Sequence, residues 1–139
     1  MRILIAGGRS RTDYLIESLM KSGNSVVAVN GNRPWCEYLS SRHDAAVVYG
    51  DATKRYVLDD ADIEGFDLVI AMCDNDADNL VVCDMARRYF GIDHAVCTVY
   101  NPRNVAVFKK LGISSAISAT YMVSRLIEQA SMEAMGGHD

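Results

Sequence analysis

Six short apolar runs, each followed by a segment of helical pattern, constrain this chain more than anything else in it. The runs read as strands at 2–6, 25–30 (Ser-Val-Val-Ala-Val-Asn), 45–49, 67–72, 94–99 and 114–118. Helices are expected near 12–22, 34–42, 54–61, 76–90, 102–111 and 119–134. Several of the runs are continuously apolar, as strands covered on both faces must be. Strict strand–helix alternation of this kind predicts an α/β fold built on a parallel sheet. Right-handed crossovers then give a doubly wound six-stranded sheet in the order 3-2-1-4-5-6, with helices on both faces.

Boundary signals agree. Asp13 and Glu17 fall in the first turns of the first helix and Gly23 ends it; Asp76 and Asp78 open the long helix that Gly91 closes. Pro102 is expected in a first helical turn behind Asn101 as cap. With no linker, repeat or low-complexity stretch, residues 1–134 read as one Rossmann-like domain and 135–139 as a flexible tail. In the last helix Met122, Leu126 and Ala130 form one row with Val123 and Ile127 beside it, an apolar face that suits either the core or a subunit interface.

Size and charge narrow the function. At 139 residues, half of them hydrophobic, the chain is long enough to bury a core. A net charge of −4 provides no basic field for nucleic acid or an anionic membrane surface. No apolar run approaches the roughly 20 residues of a membrane span. The five apolar residues after Arg2 do not make a secretory signal, so any link to a membrane is expected to run through another polypeptide. The four cysteines (Cys36, Cys73, Cys83 and Cys97) form no C-x-x-C pair and have no histidine at zinc-ligand spacing. Reduced structural thiols in a cytoplasmic protein are expected, with disulfides or a metal as the alternatives.

The first strand runs into Gly7-Gly8-Arg9-Ser10-Arg11-Thr12, where a Rossmann-like unit places its phosphate loop. The fingerprint asks for glycine at its first, third and sixth places; this chain has Gly7, Arg9 and Thr12. A helix N-terminus still points at the loop, and Arg9 and Arg11 offer forked donors to a phosphate. Two solvated arginines on a surface loop are the alternative. Asn30 ends the second strand, where an acid would take the ribose hydroxyls of NAD, and nearby Arg33 suits a 2′-phosphate. Gly50-Asp51-Ala52-Thr53 follows the third strand, either as a turn and helix cap or as a wall of an adenosine pocket.

Other constellations fail. Asp74-Asn75-Asp76-Ala77-Asp78 begins like a calcium loop, but Asn79 stands at the glycine position and Met85 at that of the bidentate Glu. Carboxylates there more simply stabilise the start of a helix. His43, His94 and His138 are scattered, and neither a nucleophile–histidine arrangement nor a Tyr-x-x-x-Lys pair is present. An enzyme, an oxidoreductase above all, is therefore not expected.

Together these motifs resemble the TrkA-N domain (also KTN or RCK-N), the regulatory nucleotide-binding domain of potassium transporters and channels. The resemblance covers residues 1 to about 130. It rests on the glycine loop, on Gly50-Asp51-Ala52-Thr53 and Asp74–Leu80, on Asn101-Pro102-Arg103-Asn104, and on Lys110–Ser118 leading into the last helix. It implies a cytoplasmic sensor that forms dimers or larger rings on the inner face of the membrane, beneath a membrane-embedded potassium transporter or channel subunit. There NAD(H), ATP or ADP shifts the assembly between conformations and so gates ion flux. Carried over by position, the implied nucleotide contacts are Gly7, Gly8, Arg9, Ser10, Arg11, Asn30, Asp51, Ala52, Thr53, Cys73 and Asp74. Four departures fall on ligand positions: Arg9 and Thr12 for glycines, Asn30 for an acid, and Thr98 where many members carry arginine. A Rossmann-framed scaffold that binds no nucleotide is the alternative reading. The family's usual second, smaller ligand-binding domain has no counterpart in these residues.

Overall fold

The computed structural model describes residues 1–136. Six strands, β1 (Arg2–Gly7), β2 (Ser25–Asn30), β3 (Ala46–Tyr49), β4 (Leu68–Met72), β5 (Ala95–Val99) and β6 (Ser115–Ser118), form one sheet. Its order is β3-β2-β1-β4-β5-β6 and every pairing is parallel. The connecting helices are α1 (Ser10–Lys21), α2 (Arg33–Arg42), α3 (Arg55–Asp60), α4 (Asp76–Phe90) and α5 (Asn104–Lys110), and α6 (Ala119–Ala134) follows β6.

The continuous apolar runs divide by strand periodicity between two cores. Ile3 and Ile5 of β1 join Val26 and Ala28 of β2 beneath Ile16 of α1 and Leu39 of α2. The intervening Leu4 and Ala6 face the other way, with Val69 and Ala71 of β4, against Leu58 of α3 and Val82, Ala86 and Phe90 of α4. Burying each of the larger side chains contributes about 1.5–3 kcal/mol, so both faces must stay covered. A one-residue slip of β1 would exchange the two sets, which fixes the register Ile3↔Val26 and Ile3↔Leu68.

Several expectations need correction. α1 starts at Ser10 rather than residue 12, so Ser10 and Arg11 belong to its first turn. Asn101 and Pro102 lie in a turn before α5, which starts at Asn104; the Asn101 side chain accepts from Arg103 N at 3.0 Å. Proline thus stiffens the approach to the helix instead of opening it.

α6 is joined to the sheet through its cap, where Ser118 Oγ accepts from Tyr121 N at 3.1 Å. None of its residues is buried, and Met122, Val123, Leu126 and Ile127 are all more than half exposed. Its apolar face is therefore no part of this chain's core. Met135 and Gly136 close the helix, and residues 137–139 of the expected tail, His138 among them, lie outside the described residues. Among the described residues no helix is long and apolar enough to cross a membrane.

Candidate functional site

In a doubly wound sheet the carboxyl ends of the strands open a crevice where the winding reverses, here between β1 and β4. Gly7 and Gly8 both have φ of +79° there, in the left-handed region. A Cβ on Gly7 would stand 2.8 Å from Cys73 N and Cα, and one on Gly8 would strike Thr12 Oγ1. Glycine is required at both places.

Two of the departures from the fingerprint brace this turn. Thr12 is 1% exposed and its hydroxyl donates to Gly7 O at 2.7 Å. Asn30 is 5% exposed; its Nδ2 donates to Gly8 O at 2.8 Å and its Oδ1 accepts from Asn32 N at 3.0 Å. The glycine carbonyls are thus held by α1 and β2. Arg9 caps α1 without a side-chain acceptor, and the first amide of the helix to find a backbone partner is Asp13 N, on Arg9 O at 3.1 Å. The preceding amides carry the positive end of the helix and suit an anion.

At the end of β3, Asp51 Oδ1 accepts from Thr53 N at 2.9 Å and from Thr53 Oγ1 at 2.7 Å. Those bonds hold its carboxyl below the usual range, so Asp51 is ionised at neutral pH. Neither residue caps α3, whose N-cap is Lys54 with no side-chain bond; the two close the turn ahead of it. Gly50 is glycine for packing, since a Cβ would lie 2.8 Å from Val57 Cγ1.

Beyond β4, Asn79 is fully buried at the start of α4. Its Oδ1 accepts from Cys73 N at 2.7 Å and its Nδ2 donates to Thr98 O at 3.0 Å, tying β4 to β5. Burial first, and then the charges of Asp78, Asp74 and Asp51, push the Cys73 thiol up to about 12. It stays a thiol and is no nucleophile at neutral pH. Asp76 does more than face a helix dipole. Its carboxylate accepts from Tyr100 N (2.7 Å), Asn101 N (3.0 Å) and Asn104 Nδ2 (2.8 Å), which clamps α4 to the β5–α5 turn. Asn75 caps α4 by accepting from Asp78 N at 2.8 Å. All four cysteines are free.

Two adjoining cavities occupy the crevice. The larger, about 390 Å³, gathers Gly7, Gly8, Arg9, Asn30, Asp51, Ala52, Thr53, Cys73 and Asp74 from four loops that are distant in sequence. The smaller, about 260 Å³, adds Ser10, Arg11 and Thr98. Every residue singled out from the sequence as a nucleotide contact therefore lines one of the two. Sequence reasoning passed over Gly31, Asn32 and Asp78, which also line the larger cavity, and Asn79 beneath it. A signal for Asn79 existed: it shares the buried stripe of α4 with Val82, Cys83, Ala86 and Phe90, so a polar residue in that phase needs internal partners. A separate, largely apolar cavity of about 280 Å³ beside α4 has its one arginine, Arg87, engaged with Leu111 O at 3.1 Å.

Arg9, Arg11 and the α1 amides lie at one end with Asp74 on the same wall, Asp51 lies beside β3, and Asp78 also lines the larger cavity. Phosphates suit the first. The Asp51 carboxylate is an acceptor suited to the exocyclic amino group of a purine base. Volume, donors and acceptor fit a purine nucleotide.

Fold and crevice thus define a doubly wound domain of the nucleotide-binding type. The family model for the TrkA-N domain matches residues 3–119, and the chain belongs to that family. It is 30% identical over 129 residues to the Trk system potassium uptake protein TrkA homolog of Methanothermobacter thermautotrophicus, covering 93% of this chain and 59% of that one. It therefore spans little more than half of that relative. Among solved structures it is similar to the GsuK channel bound to NAD (TM-score 0.78, 25% identity, 90% of this chain and 22% of that one). The Shewanella denitrificans Kef CTD in its AMP-bound form shares the fold (TM-score 0.82, 18% identity, 98% of this chain and 82% of that one).

Proposed function

We propose that this chain is a regulatory domain of a potassium transporter or channel, and that it senses an adenine nucleotide in the crevice between β1, β2 and β4. The observation that carries the reading is the braced glycine turn in front of the uncapped start of α1, with Asp51 across the cavity as the base acceptor. Membership of the TrkA-N family, with relatives named for potassium uptake and a similar channel solved with NAD, supports the rest. The ligand class is NAD(H) or ATP/ADP. Gly7, Gly8, Arg9, Ser10 and Arg11 serve the phosphates, and Asn30, Asp51, Ala52, Thr53, Cys73 and Asp74 enclose the nucleoside.

The role is regulatory, not catalytic. A nucleotide acts here by binding one conformation better than another, and differential affinity alone decides how far it shifts the assembly. The domain works in the cytoplasm at the inner face of the membrane, through a membrane-embedded partner, as a homodimer or larger ring. The exposed row on α6 supplies an apolar surface for assembly.

Hydrogen exchange with and without ADP, ATP and NAD tests the sensing role. Protection is expected at residues 7–12 and 50–53 together with a change elsewhere in the chain. Unchanged exchange throughout at millimolar nucleotide would leave a scaffold that binds no nucleotide, the reading that Arg9 in a glycine position favours.

A further inference from the structure

We propose that the ribose end of this site accepts adenine nucleotides carrying a phosphate on the 2′-oxygen, of the NADP type, in preference to those with a free 2′,3′-diol. The inference rests on the nucleotide-site reading above and concerns the turn between β2 and α2. A diol is read by an acceptor at the end of the second strand, and a carboxylate there both takes the hydroxyls and repels a 2′-phosphate. This chain has no acid at that place. Asn30 occupies it, and both ends of its buried carboxamide are committed, one to Gly8 O and one to Asn32 N.

What the turn presents instead is donors. Asn32 lines the cavity and caps α2, its Oδ1 accepting from Trp35 N at 2.9 Å. That bond fixes the orientation of the carboxamide and leaves its NH2 without a partner among the described residues. Arg33 follows at the first position of α2, outside the cavity lining, in an open groove that it shares with Tyr49 and Glu37. Its guanidinium is stacked 4.4 Å from the ring centroid of Tyr49, which pairs with Asn30 across β2 and β3. It forms no ion pair among the described residues. A guanidinium stacked on one face keeps its edge donors available for a phosphate fork. Three carboxylates line the same cavity: Asp51, with one oxygen taken up by Thr53, belongs to the β3–α3 turn on the base side, and Asp74 and Asp78 follow β4.

The test is calorimetric titration of the nucleotide-stripped full chain with NAD, NADP, 5′-AMP and 2′,5′-ADP. NADP should bind at least about tenfold tighter than NAD, and 2′,5′-ADP tighter than 5′-AMP by a similar factor. N32D keeps the cap, because an aspartate still accepts from Trp35 N, but places a carboxylate at the ribose. R33A removes the fork. Each should lower the NADP/NAD preference about fivefold or more with the melting temperature unchanged, R33A by weakening NADP alone and N32D by weakening NADP while NAD binds as tightly or tighter. NAD binding as tightly as NADP, with the ratio unmoved in both variants, overturns the inference and leaves the nucleotide site standing. No binding of any of the four at millimolar concentration overturns the nucleotide-site reading and the inference with it.

Discussion

Replacing Thr12 by Val removes one hydroxyl and almost no volume at the point where α1 meets the end of β1. The lost bond is the 2.7 Å contact to Gly7 O, made by a side chain that is 1% exposed. A net hydrogen bond is worth about 1 kcal/mol, and a carbonyl stranded away from water raises the cost to about 1–3 kcal/mol. For a domain of this size that corresponds to about 4–12 °C in melting temperature. The same bond holds the glycine turn in its binding geometry. If its loss frees one residue of that turn, the nucleotide must reorder it at about 1–2 kcal/mol, which raises Kd about tenfold. Thr12→Ser is the control. It keeps the hydroxyl and loses a buried methyl worth about 0.8 kcal/mol, so it should melt slightly earlier and bind as the wild type does. Denaturant melts and ADP titrations of the three proteins separate the effects. A Val variant as stable as the Ser variant, with Kd within about twofold of wild type, would refute the claim that this hydroxyl braces the loop.

Gly7→Ala puts a Cβ 2.8 Å from the Cys73 backbone at φ +79°; left-handed strain alone costs about 1–2 kcal/mol, and thermal melting should show a larger loss than for Thr12→Val. Burial alone would raise the Asp76 carboxyl, but the Tyr100 and Asn101 amides and the Asn104 side chain hold it below the usual range. Its stabilisation is therefore present above the unfolded value of about 3.9 and lost as pH falls through the lower folded value. Asp76→Asn should flatten the acid limb of stability against pH, measured by denaturant melts from neutral pH down to about pH 2. Cys73, pushed up to about 12, should react with iodoacetamide at pH 8 far more slowly than an unfolded control, and more slowly still with nucleotide bound. Leu126→Asp with Ile127→Asp on exposed α6 should leave the melt unchanged and shift sedimentation towards monomer, with an unshifted profile removing α6 from the assembly surface.

The frame was legible because it depends on periodicity and length. Alternating apolar runs and helical patterns specify which faces are covered, and the parallel order follows from crossover handedness. The crevice was legible for the same reason, since topology alone carries the ends of β1, β2, β3 and β4 to one edge. What the residues do there was less so. Thr12 and Asn30 read as failed glycine and failed acid, because a fingerprint records the usual occupant of a place and not the carbonyl within its reach. Asp76 and Asn101 were assigned as helix-start residues from type and position, and Asp51 and Thr53 were left between a helix cap and a pocket wall. Turns and helix starts favour the same residues, and only geometry tells which amide each carboxylate meets. α6 could not be placed by its pattern, because an apolar stripe is the same whether its own chain or another covers it.

The measurement that bears most directly on the account is calorimetric titration of nucleotide-stripped protein with NAD, NADP, ATP and ADP, repeated on Asp51→Ala. Saturable binding of at least one of them at about micromolar Kd, weakened about tenfold or more in the variant, is the predicted result. No heat and no thermal shift up to millimolar nucleotide would contradict it, and would make the crevice a relic of the fold.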